Sequence, residues 1–220
     1  MLENKQNDTF QRRKGKLILM IEQGEGEHLD FKKQITSFNK IAKTIVSFAN
    51  NKGGKILIGV NDNKTIHGIN ADEEQHMIEQ ACSFYCKPEP DIEFKEWNER
   101  GKIVLEVDVK EGNQKPYYAK GEDDKWWVHI RVADKSLLAS KVVVDVLKRE
   151  QPGAKTLIKY SSKEKELLDY LKTHERITLK EYCKLLNLSR WRATKIFVDL
   201  VSVGVLRIHT TEKTDFYTLS

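Results

Sequence analysis

The run RWRATK, residues 190–195, places Arg190, Trp191, Arg192 and Lys195 in the opening turns of a predicted helix. Cations at this spacing, with an aromatic between them, suit nucleic acid: Arg reads guanine in a major groove, and Lys or Arg grips phosphate. No acidic residue interrupts the cluster until Asp199. The competing reading gives the same helix to protein contact or dimerisation. A second group, Lys115, Pro116, Tyr117 and Tyr118, with Arg131 further along the chain, also mixes cations with aromatics. Such surfaces stack on bases and hold phosphates. Two readings stay open there. Either the group contacts nucleic acid, or its tyrosines pack over a sheet while Arg131 joins an internal ion pair.

FANNKGGKILIGVNDN, residues 48–63, raises a third kind of chemistry, a glycine-rich phosphate loop. A nucleotide loop runs strand, glycines, helix, so that free N–H groups at the helix N-terminus meet the phosphates. Here the order is helix, glycines, strand, and the glycines meet the negative end of a helix dipole. No Gly-Lys-Ser/Thr follows, so no nucleotide cofactor is expected, and the segment reads as a helix cap with a tight entry to a strand. Cys82 and Cys86 lie one turn apart on a predicted helix, without a knuckle spacing or a second pair to complete a zinc site. They read as buried thiols. The six histidines form no HExxH pattern.

These residues need elements to position them. HLDFKK alternates: Leu29 and Phe31 face one way, Asp30 and Lys32 the other, as on a half-buried strand. SFNKIAKTIVSFAN is a helix capped at Ser37 or Thr36, and KILIGV a buried strand. The glycines of NNKGG, with the asparagines, supply left-handed conformations between them, and a short second strand follows NDNKT. A helix is predicted over about 72–85, then a hairpin turning at NERG, a further strand in KWWVHIRVADKSLLAS, and a closing helix in KVVVDVLKRE. Trp126 and Trp127 face opposite sides of their strand, one toward core and one toward surface or a partner. The pattern predicts an α+β fold: a tail without order over 1–14, a mixed sheet domain over 15–149, and a linker over 150–161. Residues 162–220 run helix, helix, helix, hairpin, the order of a winged helix-turn-helix, with His209 and Lys213 on the wing.

Bulk properties narrow the classes. Residues 155–220 hold 13 Lys and Arg against 8 Asp and Glu, so the whole net charge of +5 sits in the C-terminal third. That asymmetry points toward nucleic acid. No apolar run approaches the roughly 20 residues of a membrane span. The polar start MLENKQNDTFQRRKGK lacks the apolar core of a secretory signal. Three cysteines make no disulfide framework, and a reduced, cytoplasmic setting is expected.

Four motifs in order, EGEHLDFKK, IAKTIVSFANNKGGKILIGVNDN, KPYYAK and VHIRVADKSLLAS, make roughly residues 15–148 similar to the AlbA-type DNA-binding domain of the Schlafen family, long labelled a divergent ATPase domain. The resemblance implies one of two activities. Many bacterial relatives are read as DNA-binding regulators, and this is the leading expectation, with the winged helix supplying base readout. Animal Schlafens are metal-dependent endoribonucleases acting on tRNA and rRNA, and this is the alternative. Their three carboxylates carry over to Glu25, Asp30 and Asp62, with Asp30 standing where the family usually has Glu. Such a set would hold Mg²⁺ or Mn²⁺, hard cations that take oxygen ligands, and Lys32 would contact phosphate. Animal Schlafen cores pair two related lobes around RNA, so a chain with one such domain is expected to form a homodimer.

Overall fold

The computed structural model describes residues 15–149 and 161–220. The predicted tail over 1–14 and the linker up to residue 160 lie outside the described residues.

Helix α1 (Lys16–Gln23) ends at Gly24, whose φ of 84° takes the chain out of the helix. Strand β1 (Leu29–Lys32) then turns Leu29 and Phe31 onto Leu17 and Ile21 of that helix. Helix α2 (Phe38–Ala49) starts at Ser37, whose side chain accepts the Lys40 amide, satisfying one of the donors a helix start leaves open. It serves as the crossover to β2 (Gly54–Ile58), which lies parallel to β1. Helix α3 (Ala71–Tyr85) leads into β3 (Cys86–Lys87), then β4 (Ile92–Glu99), β5 (Lys102–Val109), β6 (Tyr118–Lys120), β7 (Trp126–Val132) and β8 (Lys135–Leu138). Two four-stranded sheets result, ordered β1-β2-β5-β4 and β3-β6-β7-β8.

The apolar face of α2 fills the space between the sheets. Ile41, Ile45 and Phe48 pack with Ile56 and Ile58 of β2, Leu105 and Val107 of β5, and Ala119 of β6. Cys82 and Cys86 belong to this core, and their free thiols are buried. The hydrogen bond with Cys82, together with burial, pushes the Cys86 thiol well above the usual range. The turn into β2 is tight. Gly53 has a φ of 72°, and a Cβ there would stand 2.6 Å from the Val109 carbonyl oxygen. Gly53→Ala is therefore expected to cost about 2 kcal/mol, read as a lower urea midpoint at unchanged slope.

Helix α4 (Lys141–Arg149) has two apolar sides. Val143 and Leu147 cover Val128, Tyr118 and Ile130 on the outer face of the second sheet. Val142 enters a different core, built by α5 (Ser162–Thr173), α6 (Leu179–Leu185), α7 (Arg190–Ser202), β9 (Leu206–His209) and β10 (Phe216–Leu219). There Leu167, Tyr182, Phe197 and Tyr217 are fully enclosed. Capping boxes at Ser161/Glu164 and Thr178/Glu181 start α5 and α6, and Ser189 caps α7. The two halves also meet through Arg149 and Asp199, 2.6 Å apart, and through Lys135 and Glu212.

Three local expectations need correction. The residues after Trp126 form a hairpin instead of one strand, because Ala133 takes a φ of 52° and reverses the chain without the usual Asn-Gly signal. The short strand after NDNKT reduces to a single bridge between Val60 and Ile66. Trp126 and Trp127 are both partly exposed, since they begin β7 beyond the cover of either core. By contrast the NERG hairpin turns as expected, with Arg100 and Gly101 both at positive φ. No helix among the described residues is long and apolar enough to cross a membrane.

Candidate functional site

Glu25 and Asp30 come together at the bend before β1. A Glu25 carboxylate oxygen accepts the Phe31 amide at 2.9 Å. Burial raises the Glu25 pKa above the ordinary carboxylate value against that bond; neighbouring Asp30 raises it further and Lys32 lowers it. Asp30 is deeply buried, and both its oxygens are occupied: one by Arg131 at 2.9 Å, the other by Lys32. Lys32 also donates to the Phe31 carbonyl, so it is committed to this bend while remaining partly exposed.

Asp62 is exposed in the turn that joins Asn61 to Thr65, a turn fastened to the end of α1 by Lys64, which donates to the Glu22 carbonyl at 2.9 Å. Among the described residues no three His, Cys, Asp or Glu side chains gather closely enough to hold a metal ion. With Asp30 already saturated by two cations, the residues as placed do not fit Mg²⁺ or Mn²⁺.

Arg131 is the centre of this region, and not as a phosphate ligand. Its side chain is 2 % exposed. Nε donates to the Gly26 carbonyl at 3.0 Å, one terminal nitrogen donates to Leu29 and Asp30, and the guanidinium lies over Phe48 at 4.9 Å. It projects from β7 across to β1 and ties the two sheets and the Glu25 bend together. The expectation that Arg131 contacts nucleic acid fails because its nearly buried fork is spent on Asp30 and on backbone carbonyls. Tyr117 is likewise buried, which closes its ring to bases. Lys115 pairs with Glu111 at 2.7 Å and is largely covered. The KPYYAK segment is therefore an internal packing element, and Asn50 is what holds it. The Asn50 amide donates to the Tyr117 and His129 carbonyls at 2.8 and 2.9 Å and accepts the Tyr117 amide at 2.7 Å.

The cluster on α7 is presented differently. Ala193, Ile196, Phe197 and Leu200 turn one face of the helix into its core. Arg190, Trp191, Arg192 and Lys195 stand on the exposed side, with Trp191 75 % exposed and the Lys195 ammonium 6.0 Å from its ring. Beside them runs α4, whose last turn carries Lys148 and Arg149. Those two cations had a signal in the sequence, the basic end of KVVVDVLKRE, but only the packing of α4 against α7 makes them neighbours of Arg190.

No curated protein matches. Among solved structures, the DIP2311 protein from Corynebacterium diphtheriae matches at 20 % identity and a TM-score of 0.41, over 61 % of this chain and 26 % of its own. This chain thus spans about a quarter of that protein's length. The N-terminal domain of a protein from Nitrosomonas europaea, described as ATP-dependent DNA helicase RecG-related, matches at 21 % identity and a TM-score of 0.38, over 48 % of this chain and 79 % of the domain. The family model described as Schlafen, AlbA_2 matches residues 25–140, more than half of the sequence, so the chain belongs to the Schlafen AlbA_2 family.

Proposed function

We propose that the protein binds nucleic acid, most simply as a DNA-binding transcriptional regulator, with its last three helices and hairpin acting as a winged helix whose α7 enters the major groove. The observation that carries this reading is the exposed Arg190-Trp191-Arg192-Lys195 face on a helix whose other face is locked in a core. A rigidly backed helix presenting cations at its first turns has the shape and charge that a duplex groove selects. Membership in the Schlafen AlbA_2 family agrees with a nucleic-acid-related role. The first domain then serves as a scaffold or regulatory input.

The test is anisotropy titration of a labelled mixed-sequence duplex of about two helical turns, at several salt concentrations. Arg190→Ala and Arg192→Ala are each expected to weaken binding about tenfold, and the wild-type affinity to fall steeply with salt. Wild-type affinity in both variants would overturn the assignment to α7. In a parallel arm, Mn²⁺-dependent cleavage of total tRNA, lost in Glu25→Ala/Asp62→Ala, would make the protein a Schlafen-like ribonuclease instead.

A further inference from the structure

A nucleic acid seated on α7 is flanked by two elements, the β9–β10 hairpin and α4. In a winged helix the hairpin commonly touches the backbone beside the recognition helix. Here it is engaged elsewhere. Ile208 of β9 packs with Val143, Leu147 and Ile130, and Glu212 at the turn is ion-paired to Lys135 of β8. The hairpin thus fastens the last helices to the second sheet.

The other flank carries the charge. Between α4 and α7 lies a cleft of about 600 Å³, lined by Lys141, Lys148 and Arg149 on one side and Arg190, Trp191 and Lys195 on the other. Among its described lining residues Asp145 is the one carboxylate, and it pairs with Lys141 at 2.7 Å. Arg149 is held by Asp199, while Lys148 is exposed. Lys148, Arg190 and Lys195 therefore form a cationic rim that crosses from one half of the protein to the other, with an exposed indole between them.

We infer that α4 supplies the phosphate contacts beside α7 that the hairpin would otherwise make, so that the interface for duplex nucleic acid is shared between α4, which follows the family-matched residues, and the last helices. This rests on the reading of α7 proposed above. Phosphate strands follow a groove edge, and a cation on the helix flanking the one in the groove meets the backbone without reading bases. Lys148 then contributes affinity without sequence preference.

The experiment uses the full chain and the same labelled duplex. Lys148→Ala is expected to weaken binding several-fold and to lower the slope of log affinity against log salt by about one, with Lys148→Glu weakening it further. Lys213→Ala, on the hairpin turn, is expected to change neither. A slope unaltered by Lys148→Ala, or lowered as much by Lys213→Ala, overturns the inference. If that happens while Arg190→Ala still weakens binding, α7 remains the reader and only the shared interface is lost. If the wild-type protein shows no salt-dependent duplex binding, both fall. Lys148 is solvent-facing, so unchanged melting of its variants separates lost contact from lost fold.

Discussion

Arg131→Met is expected to lower the stability of the protein by about 3–5 kcal/mol, the usual cost of removing one partner from a buried ion pair. The loss does not measure the strength of the pair. It measures what is left behind: Asp30, deeply buried, keeps only Lys32, whose partly exposed ammonium screens poorly in the interior. Two carbonyls, of Gly26 and Leu29, lose a donor in the same step. A urea titration reads the effect, and faster amide exchange over residues 25–31 shows where it is felt. Adding Asp30→Asn removes the stranded charge and should return part of the loss. A cost under about 1 kcal/mol for Arg131→Met alone would show that the interior tolerates the bare carboxylate, and that Arg131 is not the tie between the sheets.

Asn50→Ala comes next, at about 3 kcal/mol. Three backbone groups, the Tyr117 amide and the carbonyls of Tyr117 and His129, lose their partner at once, and each buried group left unpaired costs about 1–3 kcal/mol. Asn51→Ala, one position on and less buried, should cost far less. Asn50→Asp separates hydrogen bonding from volume. The new carboxylate would accept the Tyr117 amide but face two carbonyl oxygens, so its folded pKa would lie above its unfolded one. Stability would then be depressed at neutral pH and improve as pH falls through the folded pKa. A flat pH profile would argue that Asn50 is tolerated for its size alone.

Much of this was legible in the residues. Alternation in HLDFKK put Asp30 and Lys32 on one face, and the structure finds them paired there. The order of helix, NNKGG and strand is found as read, with Gly53 supplying the left-handed step, while Asn50 keeps an ordinary φ of −75°. What the pattern missed is where a polar residue ends up when two sheets close on one helix. Asn50 looked like a cap, yet its side chain turns inward, because KPYYAK, 65 positions on, brings backbone groups that need partners. For Arg131 two readings stood open, nucleic-acid contact or an internal ion pair; the structure gives the ion pair, and strand periodicity supplies its face but not Asp30 as the partner across the gap. The carboxylate set carried over from the family depended on Asp62 reaching Glu25, and a turn of Asn61 to Thr65 holds it in solvent. On α7, by contrast, local sequence sufficed, since the cap at Ser189 and the apolar spacing fix which face is exposed.

Helix α4 gives one side to each core, Val142 to one and Val143 with Leu147 to the other. Nine residues thus act as a common wall between two rooms. Cutting the chain anywhere in 150–160 assigns that wall to the first room and bares Val142's neighbours in the second. Heat that opens one room is thus expected to uncover the other, so that the two melt as a single calorimetric event.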